Sequence, residues 1–154
     1  MNIYSKLLQT IKTIAEQDDS VNTVTNNGRI DLDINKTDLF PIVDVFVTGA
    51  TFPSDAVIRL TIELVCVDLR DTNNEVTSDK FWNQDNEVDN LGETLMVINR
   101  IWKKLYKDFE DTNVTASESP ALVPIEGDGK DVYDGWSITF DVDVPSVEMS
   151  LCND

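Results

Sequence analysis

Asp31, Asp33 and Asn35 in the stretch "DLDINKTD" stand at the alternate positions from which a calcium loop ligates its ion. Such a loop also needs a glycine at its sixth position and a glutamate at its twelfth. Those positions hold Lys36 and Ile42, so the segment reads as a polar turn and strand edge. A second acidic group, Asp128, Asp131 and Asp134, lies in a glycine-containing stretch where oxygen ligands could gather round a hard cation. Nothing in its spacing fixes a geometry, and a solvated acidic loop is the simpler reading; a metal-dependent hydrolase built on these three residues is the weakest of the function classes open to the chain. Carboxylate pairs suited to acid–base work, Glu63 with Asp68 and Asp141 with Asp143, arise by chance where 29 residues are acidic. The absence of histidine removes Ser-His-Asp and Cys-His nucleophile systems, His-ligated zinc and the commonest general base. There is no Gly-rich phosphate loop, CxxC pair or nucleophile elbow. The residues therefore predict a non-enzyme without cofactor or metal.

Charge narrows the partners. With 12 Lys and Arg against 29 Asp and Glu, the 154-residue chain carries a net charge of −17, which repels phosphate backbones and excludes sequence-specific DNA binding. Residues 108–154 hold Lys130 as their sole cation and contribute about −11 of that total. The basic cluster Arg100, Lys103, Lys104 and Lys107, with Trp102 and Tyr106, reads first as a solvated helix end and second as an ionic contact for an acidic neighbouring subunit. Cys66 and Cys152 are too few for a disulfide framework and are expected to be free thiols. The first 20 residues have neither a signal-peptide apolar core nor a membrane span, so a cytoplasmic origin is expected.

The elements that must position these residues follow from periodicity. Ile3, Leu7, Leu8, Ile11, Ile14 and Ala15 predict an amphipathic helix over 2–17. "NNGR" at 26–29 predicts a short hairpin. The β-rich runs 40–52 and 56–69 should pair antiparallel, and Val65, Val67 and Leu69, apolar on the side that is otherwise polar, are expected to be covered by another element or by another subunit. Val88, Leu91, Leu95, Ile98, Trp102, Leu105 and Phe109 predict a helix over 87–109 whose stripe is core, with acids at its start and bases at its end matching the dipole. Residues 110–134, with Pro120, Pro124, Gly127 and Gly129, read as a long loop. The closing stretch "GWSITFDVDVP" puts Trp136, Ile138, Phe140, Val142 and Val144 on one side and Ser137, Thr139, Asp141 and Asp143 on the other. The expected architecture is α+β, a mainly antiparallel sheet with two helices on one face. It comprises one domain over 1–145 and a C-terminal arm over 146–154, whose alternating Val147, Met149 and Leu151 follow a proline that stops the ladder.

This series, namely the N-terminal helix, "DLFPIVDVFVTGATF", "VIRLTIELVCVDLRD", "DKFWNQDNEVDNLGETLMVINRIWKKL" and "GWSITFDVDVP", resembles the tail-completion or tail-terminator-like neck proteins of tailed bacteriophages, including small structural proteins of the crAss-like group. The resemblance covers nearly the whole chain and rests on element order rather than on a diagnostic motif. It implies a structural virion protein, assembled in the host cytoplasm into a ring of six or twelve subunits between portal and tail, contacting other neck, portal or tail proteins while DNA passes through the bore without specific binding. On that reading Asp128, Asp131, Asp134, Asp141 and Asp143 are expected to line the bore, and Val65, Val67, Leu69, Val147, Met149 and Leu151 to form subunit contacts. The alternative from another class is a small acidic adaptor or inhibitor-type binding module in the cytoplasm.

Overall fold

A computed structural model describes residues 2–26, 40–70, 81, 86–112, 114–117, 119–128 and 133–146. Helix α1 (Ile3–Glu16) begins where Asn2 Oδ1 accepts the Ser5 N–H at 2.9 Å, satisfying one of the orphan donors of the first turn. It buries Leu7, Ile11 and Ala15, the expected stripe. Strand β1 (Thr23–Thr25) lies parallel to β2 (Ile42–Ser54), and β2 turns back antiparallel into β3 (Val57–Leu69). The second arm of the expected Asn-Gly hairpin falls outside the described residues.

After helix α2 (Glu87–Glu110), the stretch expected to be a long loop contains two strands, β4 (Thr115–Ala116) and β5 (Ala121–Asp128). Both pair antiparallel with one edge of β6 (Tyr133–Pro145), β4 against 142–143 and β5 along 133–139, while the other edge of β6 pairs with β3. Pro120, Pro124 and Gly127 hid these strands. Pro lacks only a ladder donor, and an edge strand tolerates that loss where an inner strand would not.

Both helices cover one face of the sheet, as expected. Val43 and Val45 of β2, Leu60, Ile62, Leu64 and Cys66 of β3, and Ile138, Phe140, Val142 and Val144 of β6 meet Leu7, Ile11, Val97, Ile98, Ile101 and Leu105 in one apolar layer. Trp136 Nε1 donates to the Leu91 carbonyl at 2.8 Å, and the Trp102 ring tilts against Phe140 at 4.9 Å, so α2 runs along β6 in the same direction. On the opposite face, Ile42, Val65, Val67, Ile125 and Tyr133 form a second, smaller cluster. Val65 and Val67 are fully buried there by their own chain, which corrects their expected role as subunit contacts; Leu69 remains 40% exposed.

The stripe expected on α2 is rotated from the one that the core takes. The buried positions are Glu87, Asn90, Thr94, Val97, Ile98, Ile101, Leu105 and Phe109, whereas Val88 and Leu95 stay 43% and 37% exposed. A strict 3/4 repeat drifts by about 20° per heptad around a straight helix, so over three heptads the apparent seam and the true core face part company. Ile98→Ala is therefore expected to cost about 2–5 kcal/mol as a buried truncation, and Leu95→Ala less than about 1 kcal/mol, in urea unfolding of the two variants. Equal costs would restore the straight seam.

Gly135 leaves no room for a side chain between β6 and β3: a Cβ there would meet the Cys66 carbonyl oxygen at 1.9 Å and the Val67 Cα at 2.8 Å. Backbone cannot swing aside as a flexible side chain can. Gly135→Ala is expected to cost more than about 3 kcal/mol. Gly92→Ala, in α2 with open space around its Cα, is expected to stabilise by about 0.5–1 kcal/mol through helix propensity. Thermal melts of the pair check both signs.

Candidate interaction surface

Glu63, Asp134, Asp141 and Asp143 are taken up by pairing within the chain, while Asp31, Asp33 and Asn35 lie outside the described residues. On the open face of the sheet, directly opposed residues of β3 and β6 form a polar ladder. Arg59 donates from Nε and Nη2 to the two oxygens of Asp143 at 2.7 and 2.8 Å, Thr61 Oγ1 donates to Asp141 Oδ1 at 2.7 Å, and Ser137 Oγ donates to Glu63 at 2.8 Å. The polar side of "GWSITFDVDVP" thus faces its own neighbouring strand. Asp143 is held below the usual carboxylate range, chiefly by the Arg59 hydrogen bonds.

Asp134 is a correction. It was expected among exposed bore-lining carboxylates, but its side chain is 0% exposed, because it shares the parity of Trp136 and Ile138 and points to the helix side. Arg70 grips both of its oxygens at 2.9 and 2.6 Å, the Gly127 N–H donates to Oδ1 at 2.7 Å, and the same guanidinium reaches Glu87 at 2.8 Å. Gly127, at φ 60°, brings that N–H into place. Asn90 Nδ2 donates to the Leu69 carbonyl at 2.9 Å beside the clamp. The end of β3, the facing ends of β5 and β6 and the N-terminus of α2 are thereby tied at one point, and the helix dipole favours the Glu87 carboxylate there. The backbone of Asp128, the last residue of β5, pairs with Tyr133 of β6, while its side chain, Asp131, Val147, Met149, Leu151 and Cys152 lie outside the described residues.

A third arginine fork joins the helices. Arg100 donates from Nε and Nη2 to Asp18 at 2.8 and 2.9 Å, and the Ser20 N–H adds a bond to the same carboxylate at 3.0 Å. The Asp18 side chain is only 3% exposed, and the Arg100 bond holds its carboxyl below the ordinary range. Burial pushes the Cys66 thiol well up, leaving it un-ionised and unreactive. No group of three His, Cys, Asp or Glu side chains able to hold a metal occurs among the described residues.

What remains open is apolar and lies at the periphery. Leu95, Met96 and Trp102 of α2 and Pro120 and Leu122 of the β5 side wall a groove of about 530 Å³ floored by Ile98 and Ile138. Met96 is 60% and Leu122 44% exposed. Among the described residues, β5 has no strand on its far edge. Lys103 and Lys107 are exposed on the helix just beyond the groove and make no ion pair among the described residues. Towards the hairpin end of β2, between the pairs Thr51–Arg59 and Ser54–Val57, Phe52 is 76% exposed. The sequence does not announce the groove, since Pro120, Pro124 and Gly127 make its β5 wall look like loop and the spacing of Leu95 looks like core; the signal it does carry is the apolar run Leu122, Val123 and Ile125. No protein-family model matches the chain, and no curated protein matches it in sequence.

Because Asp18 and Asp143 have depressed folded values, the unfolded chain binds more protons between those values and about pH 3.9, and stability rises with pH across that interval. Their contribution is complete above about pH 4 and disappears as pH falls through the folded values. Asp18→Asn is expected to lower stability by about 1–2 kcal/mol at pH 7, moderated by solvent screening of Arg100, and to converge on the parent chain as pH falls through the depressed Asp18 value. Urea unfolding from pH 7 to pH 2.5 tests this; parallel curves over the whole range would discount the Arg100 pairing.

Proposed function

We propose that the chain is a structural subunit that assembles into a homo-oligomeric ring at the portal–tail junction of a tailed phage virion, with DNA passing through without specific contacts. The observation that carries the assembly part of this reading is the position of two of the exposed apolar features among the described residues, the α2–β5 groove and Phe52. The α2–β5 groove lies at the level of Ile138 in the sheet, and the exposed Phe52 stands in β2 between the pairs Thr51–Arg59 and Ser54–Val57, level with Asp143–Pro145 of β6. Along β6 the two levels are five to seven residues apart, about 16–23 Å. Two unlike patches, on strands at opposite sides of the β3–β6 pair, suit a heterologous contact, repeated head to tail until a rotation closes it, better than a two-fold dimer. The phage setting rests on the resemblance in element order.

The chain's net charge of −17 suits a wall that must not adhere to DNA. Asp134 takes no part in it, being buried under Arg70. Asp141 remains on the open face with Asp143, the latter partly neutralised by Arg59, so any channel charge from this region falls to Asp141 and to the acidic stretch that includes Asp128 and Asp131. No helix among the described residues is long and apolar enough to cross a membrane.

Light scattering across a concentration series is expected to give six or twelve times the monomer mass, with annular particles in negative stain. A monomer at every concentration would sink the ring and favour the acidic adaptor.

A further inference from the structure

We propose that the α2–β5 groove binds the segment Val147–Asp154 of a second copy of this chain, a step that rests on the reading of the protein as a self-assembling subunit. The segment "VEMSLCND" places Val147, Met149 and Leu151 at alternate positions, so in extended form they share one face over about 13 Å. The α2 wall of the groove runs from Leu95 to Trp102, seven residues and about 10 Å of helix. The apolar face of the segment matches the length and the character of the groove.

Charge sets the direction. In a molecule of net charge −17, most surfaces repel an acidic segment, whereas Lys103 and Lys107 continue the exposed side of α2 beyond Met96 and Asn99. Lys107 is five residues past Trp102, about 7.5 Å, and Asp154 is three residues past Leu151, about 10 Å extended. A segment running with α2 brings Asp154 to the lysines while its apolar residues fill the groove. Pro124, which has no N–H to offer, interrupts the free edge of β5, so side chains in the groove rather than a long ladder hold the occupant.

Reach makes the contact intermolecular. Ser146 is fastened beside the β2–β3 turn by its N–H to the Ala56 carbonyl at 2.8 Å and its hydroxyl to the Asp55 carbonyl at 3.1 Å. Leu122 lies opposite Ile138, eight residues back along β6 and about 26 Å away. Leu151 is five residues past Ser146 and reaches at most about 18 Å, and Val147 reaches far less. The groove of the same chain is out of range, and that of a neighbour is not.

The test uses full-length protein with either the arm altered (Met149→Glu with Leu151→Glu) or the groove altered (Met96→Glu). Met96 is 60% exposed, so that variant should keep the parent melting temperature; Lys103→Glu with Lys107→Glu serves as a second groove variant should it not. By sedimentation velocity, the arm variant and Met96→Glu are each expected to weaken self-association at least roughly thirtyfold. The lysine reversal should weaken it roughly tenfold and be largely restored by Asp154→Lys. Mixed in equal amounts, the arm variant and Met96→Glu should form a 1:1 heterodimer and stop there, because only one intact arm and one intact groove remain. Variants that assemble like the parent, or a mixture that stays monomeric, overturn the arm-in-groove contact and leave the ring reading standing. A parent chain that is itself monomeric overturns both.

Discussion

Thirteen consecutive residue pairs, from Val57 with Pro145 to Leu69 with Tyr133, join β3 to β6, and the other features of the molecule depend on that one register. Strand side chains alternate with a period of two, so a slip by one residue would move Leu60, Ile62, Leu64 and Cys66 from the helix-covered face to the open one. The register is held at both ends by groups that tolerate no substitute nearby: the Arg59–Asp143 fork near one end, the Arg70–Asp134 fork at the other, and Gly135, whose missing side chain lets the strands close on each other. Hydrophobic burial supplies the stabilisation, and these polar and steric features select the alignment that achieves it.

Cations are scarce in this chain, and the two kinds are used differently. Of the four arginines, Arg59, Arg70 and Arg100 each close a two-pronged grip on an aspartate that joins separate elements. A planar guanidinium presents paired donors in the geometry a carboxylate accepts, which an ammonium cannot do. Lys103 and Lys107, hydrated point charges on flexible stems, are left exposed on α2. A chain so acidic needs its strongest fixed cations inside its own framework, and among the described residues what it offers a partner is lysine.

Much of this was legible in the residues. The two helices, β2, β3, β6 and the two-faced character of residues 136–144 follow from apolar spacing, since burial writes a period of 3.6 or 2 directly into the chain. The partners of the polar side chains do not follow. Asp134 shares parity with the core side of β6, but that it meets Arg70 depends on which residues of β3 lie opposite, and periodicity carries no register between distant strands. Val65 and Val67 announced a second covered face without saying that Ile125 and Tyr133 would cover it. β5 was hidden because an edge strand relaxes the very rules, against proline and glycine, by which strands are recognised.

The pairing of β3 with β6 also sets a waiting time. In synthesis, β2 and β3 can zip into their hairpin as soon as Leu69 has emerged, whereas the other edge of β3 stays bare until β6 follows about 75 residues later. At bacterial or eukaryotic elongation rates of about 5–20 residues per second, that is roughly 4–15 s for each nascent chain. On polysomes, many copies of "VIRLTIELVCVDL" would be held side by side in this state, with an unpaired edge rich in β-branched residues. Arg59, Glu63 and Asp68 punctuate that edge with charge at intervals of four or five residues, so no apolar run is long enough to stack freely with its neighbour. The side chains that later order the finished sheet thus serve first as guards of an incomplete one.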